Sequence, residues 1–145
     1  MTVEQISVFV ENAPGRLLAI METLGNAGID LRALSIADTA QFGLLRLIVN
    51  DPQRTAALLR EAGYVVSITP VLAVCLEDAP GSLAKILRPL ADATISIEYL
   101  YAFAARKKDS AYVVFRVADN ASAIVALESG GVKMAGSQEI FDALV

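Results

Sequence analysis

"VENAPGRL", residues 10–17, returns as "LEDAPGSL", residues 76–83. An apolar run, an acid and amide or acid pair, Ala-Pro-Gly and a leucine form a strand–turn–helix signature that the chain writes twice, sixty-six residues apart. Working outward at that offset, Ile6, Val8 and Val10 meet Leu72, Val74 and Leu76, Glu11 meets Glu77, and Leu17 meets Leu83. Ile20 and Ile86, Leu24 and Leu90, Ala27 and Ala93, Ile29 and Ile95, and Leu34 and Leu100 continue the match. Farther on, "FGLLRLIVND" (42–51) meets "SAYVVFRVAD" (110–119) at an offset of 68, which places two extra residues in a turn around Arg106–Ser110. The chain is a tandem duplication.

Each half reads as strand, helix, strand, strand, helix, strand. Residues 4–11 are extended, Leu17, Met21 and Leu24 recur at helical spacing, and Gly25 to Gly28 end that helix. "IDLRALSIAD" and "FGLLRLIV" are strands joined near Thr39 to Gly43, and the change of apolar parity between Leu31 and Leu34 predicts a bulge near Arg32. "DPQRTAALLREAG" has Asp at a cap, Pro at the first helical position and Gly after the end, and "YVVSIT" closes the unit. The second half repeats this with "VLAVCLED", Ser82 to Asp92, "TISIEYLYAFA", "AYVVFRVA", "NASAIVALES" and "VKMAGS". The expected fold is α+β: two ferredoxin-like βαββαβ units, residues 1–70 and 71–145, side by side in an extended antiparallel sheet with helices packed on it.

The repeated loop carries the only chemistry the pattern singles out. Proline disfavours helical geometry in the residue before it, so the helices start no earlier than Pro14 and Pro80, with Ala13 and Ala79 at the N-cap. Alanine has no side-chain acceptor, which leaves the N–H groups of Gly15, Arg16 and Leu17 uncapped. Gly in the first turn lets another molecule approach, and the helix dipole favours a negative group such as a carboxylate. An amine on the same small molecule meets oxygens of Asn12 and Asp30 on this reading. A second reading stands beside it: Asn12 and Asp78 fold back to cap the helix, and Pro-Gly is only a tight connection.

Composition narrows the remaining classes. Of 145 residues 55% are hydrophobic, so a core is available, while a net charge of −4 and a longest basic run of Arg106-Lys107-Lys108 argue against nucleic acid. Cys75 is the single cysteine and excludes an internal disulfide; in mid-strand opposite Phe9 in the repeat, it reads as a small core residue. The absence of histidine removes His-based metal sites and Ser/His or Cys/His pairs. No apolar stretch approaches the roughly 18 to 20 residues of a membrane span, and "MTVEQISVFVENAPG" lacks signal-peptide features, so the expectation is a cytoplasmic protein with no membrane partner and no cofactor. Tyr99, Tyr101, Phe103 and Tyr112 read as strand packing, with ligand stacking open to Tyr99 or Tyr101, and Phe141 with Leu144 would dock a short closing helix.

"FVENAPGRLLAIMETLGNAGIDLRALSIAD", with its copy "CLEDAPGSLAKILRPLADATISIEYLYAF", resembles the ACT domain, the small amino-acid-binding regulatory module of many enzymes of amino-acid metabolism. The resemblance covers nearly the whole chain as two units with no catalytic domain attached. It implies an effector where two units meet side by side, held by the loop after the first strand of one and the start of the second strand of its neighbour. By position it points to Asn12, Ala13, Pro14, Gly15, Arg16 and Leu17 with Asp30 in the first unit. In the second it points to Asp78, Ala79, Pro80, Gly81, Ser82 and Leu83 with Ser96. Asp78 brings a full negative charge where the pattern has an amide, and Thr94 replaces the usual glycine, which weakens the second loop for a carboxylate.

The leading functional expectation is a stand-alone regulatory or sensor protein that binds a free amino acid at the junction of two units. The alternative is a regulatory subunit of a biosynthetic enzyme, resembling the small subunit of acetolactate synthase and requiring an enzyme partner. An enzyme in its own right fits poorly with the missing acid–base and nucleophile sets. Large apolar residues on both parities of the strands, Phe9 against Val8 and Val114 against Val113, lead to the expectation of a homodimer through stacked sheet faces. The competing expectation is that the C-terminal segment covers that face within one chain.

Overall fold

The computed structural model describes residues 1–38, 41–106 and 108–142. Thr39 and Ala40 of the first hairpin, Lys107 of the basic tip and Leu144 of the tail lie outside the described residues. The elements run β1 (Val3–Glu11), α1 (Arg16–Asn26), β2 (Leu31–Asp38), β3 (Phe42–Val49), α2 (Pro52–Glu61), β4 (Val66–Glu77), α3 (Ser82–Asp92), β5 (Ile97–Ala104), β6 (Ser110–Val117), α4 (Asn120–Ser129) and α5 (Ser137–Asp142). They form two compact units, Glu4–Thr69 and a second made of Met1–Val3 with the chain from Pro70 onward.

In the unit Glu4–Thr69, β1 pairs antiparallel with β3 and β3 with β2, so that Val8, Leu45 and Ile36 face each other across three strands. On the far side of β1 the Phe9 N–H donates to the Val65 carbonyl at 3.2 Å. This is the ferredoxin-like strand arrangement. Ile6, Val8 and Val10, with Leu45, Leu47 and Val49, share one parity and bury against Ile20 and Leu24 of α1 and Ala56 and Leu59 of α2. The register slips between Leu31 and Ala33, which is the bulge at Arg32 that the parity change predicts. Asp51 caps α2, accepting the Arg54 N–H at 3.0 Å.

The second unit repeats the plan. β4 pairs with β6 and β6 with β5, again with a slip, here between Ile97 and Tyr99. Its core joins Leu72, Val74, Val113 and Phe115 to Ile86 and Leu90 of α3 and Leu127 of α4. One element differs from expectation. "VKMAGS" is not a full strand: it contributes a single bridge, Val74 to Met134, and the Ala135 N–H donates to Ala73 O at 2.8 Å. The start of α5 at Ser137 leaves room for little more.

α5 changes the account of the second unit's helix-free sheet face. Ile140 is 2% exposed, and Val71, Ala73 and Val114 on that face are fully buried. Tyr112 stacks on Phe103 with ring centroids 5.4 Å apart. Its phenol is pushed above its ordinary value by burial, then by the Glu139 carboxylate of α5 and by Cys75. The expectation that this face is free for a second chain is therefore corrected: a helix from the same unit lies on it. In the unit Glu4–Thr69, Phe9 and Phe42 on the equivalent face are 55% and 52% exposed.

Candidate functional site

The repeated loop is a turn before it is a helix. The Arg16 N–H donates to Ala13 O at 3.3 Å, with Pro14 and Gly15 between them and Gly15 at φ 81° and ψ −6°. Pro at the first central position and a left-handed Gly at the second define a type II turn. Gly81, at φ 85° and ψ −4°, repeats it, and Ser82 N–H donates to Ala79 O at 3.2 Å. The helix caps are thus Gly15 and Gly81, not the alanines expected, and α1 and α3 begin one residue later still. The reason is steric: the turn needs a left-handed residue, which glycine alone adopts freely.

Neither glycine-capped helix has a side-chain cap, so Asn12 and Asp78 do not fold back onto the first turns. Asn12 N–H is used by Gln41 O at 3.3 Å, and Ala13 N–H by Glu11 O at 2.9 Å. The turn occupies Arg16 N–H. The N–H groups of Gly15 and Leu17 have no backbone acceptor among the described residues. At Leu17 lies a cavity of about 390 Å³ lined also by Val10, Glu11, Asn12, Ala13, Ile36 and Gly43. The Arg16 guanidinium turns to Glu11 at 3.3 Å. The cavity thus joins an apolar wall, the Asn12 carboxamide and Leu17 with its uncapped N–H, with the Gly15 N–H in the same turn, a combination suited to a small molecule with a carboxylate and an apolar body.

Asp30 is not part of this cavity. The loop stands at the end of the sheet where Glu11 meets Phe42, while Asp30 precedes Leu31, which meets Val49 at the other end. Phe42 and Val49 are seven residue steps apart along β3, about 23 Å of extended chain. Asp30 instead pairs with Arg32 at 2.8 Å and is held by Asn50. In the second unit the same division holds. Asp78 N–H donates to Asp109 O at 2.9 Å at the loop end. Ser96 lies at the other end, lining a cavity of about 430 Å³ with Thr94, Glu98, Asp119 and Ser122. Asp119 caps α4 there, and the Ser122 hydroxyl at 2.6 Å and its N–H at 3.3 Å hold that carboxyl below the ordinary carboxylate value.

Sequence reasoning missed Ile36 and Gly43, which complete the first cavity, and Lys85 and Lys133, which line another near the second loop. Register carried the signal for the first pair: once β1 and β3 are aligned, Gly43 falls opposite Val10. The side chain that a residue other than glycine would place there would stand 3.2 Å from Ile36 Cδ1.

Two tandem ferredoxin-like units, each with a Pro-Gly turn opening its first helix, define the class. The chain belongs to the ACT domain pair family, whose model matches residues 1–129. It is similar to the crystal structure of protein BT0572 from Bacteroides thetaiotaomicron, with 36% identity, 97% of this chain and 96% of that one covered, and a TM-score of 0.90. The regulatory subunit of aspartate kinase from Thermus thermophilus in its ligand-free form shares the fold at 16% identity, covering 88% and 91% of the two chains with a TM-score of 0.65. The corresponding subunit from Thermus flavus does so at 16% identity, 88% and 92% coverage and a TM-score of 0.61. No curated protein matches the chain. Among the described residues no helix is long and apolar enough to cross a membrane.

Proposed function

We propose that the protein is a regulator that binds a free α-amino acid at the first loop. The carboxylate accepts from the N–H groups of Gly15 and Leu17, the side-chain oxygen of Asn12 takes the ammonium, and an aliphatic side chain lies against Val10, Leu17 and Ile36. The observation that carries this reading is the uncapped N–H of Leu17, a residue lining a largely apolar cavity, with that of Gly15 in the same turn, within a family of ACT domain pairs. Pro14 and Arg16 shape the turn and its edge. The second loop, Asp78 to Leu83, is the weaker carboxylate site because Asp78 opposes a negative ligand. Asp30 and Ser96 lie at the opposite ends of their own units from these loops. Calorimetric titration with the twenty amino acids tests the reading: a small aliphatic or polar one binds, and Asn12→Ala weakens it about tenfold, the loss of a charge-assisted contact. No heat from any of the twenty contradicts it.

A second reading, a subunit that passes amino-acid occupancy to a separate catalytic chain, has in its favour the regulatory subunits of aspartate kinase that share the fold. Co-purification with a larger enzyme distinguishes it from a stand-alone sensor. The proposal includes a homodimer, now restricted to the exposed apolar patch at Phe9 and Phe42. Sedimentation at micromolar concentration gives twice the 15.4 kDa chain mass if this holds, and Phe9→Arg returns the monomer.

A further inference from the structure

The wall of the first cavity draws on three strands, and the duplicate builds the same row from different residues. Gly43 of β3 stands opposite Val10 of β1, and Ile36 of the edge strand β2 meets Leu45, one diagonal step away on the same face. Val10, Ile36 and Gly43 all line the cavity. In the second unit the same register sets Ala111 opposite Leu76 and Ala102 against Val113. Val10, Gly43 and Ile36 thus become Leu76, Ala111 and Ala102, a row of nearly the same total side-chain volume with the bulk moved off the edge strand.

The backbone at Gly43 is not left-handed, so glycine is there for space rather than for conformation. A Cβ at that position would stand 3.2 Å from Ile36 Cδ1 and 3.3 Å from its Cγ1. The end of Ile36 therefore fills the space that a side chain at position 43 would use. Ile36 is itself 49% exposed, and β-branching leaves it few χ1 positions, which makes it a defined wall at an open edge. We infer that Ile36 and Gly43 act together as a size filter for the ligand's side chain, an inference that rests on the amino-acid reading of the first loop. Ile36, seated over Gly43, bounds the apolar part of the cavity. An aliphatic side chain fits beside Val10 and Leu17, and an aromatic ring meets Ile36.

The test is calorimetric titration of the full chain and its variants with L-alanine, L-valine, L-leucine and L-phenylalanine. In the unsubstituted chain valine or leucine binds more tightly than phenylalanine. Ile36→Ala shifts that preference about tenfold toward phenylalanine, and Gly43→Ala, which adds a methyl group to the lining and displaces Ile36, shifts it about tenfold toward alanine. Because Gly43→Ala acts through Ile36, its effect shrinks in the Ile36→Ala background. A merely structural role for either residue would weaken all four ligands alike, and urea midpoints verify that the variants fold. If none of the twenty amino acids binds, the reading of the loop fails and the filter with it. Binding of other amino acids but none of these four, a preference that neither substitution moves, or the same Gly43→Ala shift in both backgrounds overturns the filter alone.

Discussion

Asn50 locks the corner of the first unit onto Asp30. Its Oδ1 accepts the Asp30 N–H at 3.0 Å, and its own N–H donates to the Asp30 carbonyl at 3.1 Å. In the duplicate the same two positions hold Ala118 and Ser96, the side-chain bond is gone, and a cavity of about 430 Å³ stands there. Two copies of one fold thus differ at this corner, where the first has a carboxamide that the second lacks. Asn50→Ala should lower the stability of the chain by about 1 kcal/mol, the net value of one such bond, read from the urea midpoint. An unchanged midpoint would show that the bond is replaced by water at no cost.

Gly15 has open space around it, yet its φ is 81°. The cost of a side chain there is therefore backbone strain without a clash. Gly15→Ala should destabilise by about 1–2 kcal/mol and Gly15→Asn by less, because Asn adopts the left-handed region more readily. Equal losses in urea denaturation would assign the effect to something other than the turn.

Gly130 is the opposite case. Its φ of −83° suits any residue, but a Cβ would stand 2.9 Å from Pro89 Cβ and closer still to Cγ. Gly130→Ala should cost about 1–3 kcal/mol by forcing α3 and α4 apart, and adding Pro89→Ala should recover most of it. Additive effects of the two substitutions would contradict this contact as the cause.

Tyr112 links stability to pH through α5. Its folded-state pKa lies above the ordinary 10.0, so between that value and the folded one the native state holds a proton that the unfolded state has released. Stability is therefore independent of this group below about pH 10 and falls as pH rises through the folded value. Tyr112→Phe should flatten the fall above about pH 10. Glu139→Gln should bring the Tyr112 titration, followed by phenolate absorbance, to lower pH. No shift in the latter would contradict a carboxylate of α5 acting on this ring.

The duplication made the fold legible. Core positions such as Val8 and Val74 or Leu24 and Leu90 are the same physical demand made twice, and the slip at Arg32 follows from parity. The loop was legible as a place but misread in geometry: Pro before Gly already encodes a type II turn, which moves the cap from Ala13 to Gly15. Apolar residues on both strand parities were legible too, with two coverings left open, a second chain or the C-terminal segment, and the second unit has the latter. Val114 and Tyr112 are buried in a unit whose α5 begins outside the repeated pattern, so no comparison of the halves could place it.

The central claim is that a free amino acid places its carboxylate on the first turn of α1. The direct measurement is a nitrogen-15 correlation spectrum of the protein titrated with the amino acid that binds in calorimetry. The account predicts that the Gly15 and Leu17 amide signals move together and downfield as donors to a carboxylate, saturating at the calorimetric affinity, while Asp30 and Asn50 stay in place. Binding that moves the Asp30 and Asn50 signals and leaves Gly15 and Leu17 unmoved would contradict it.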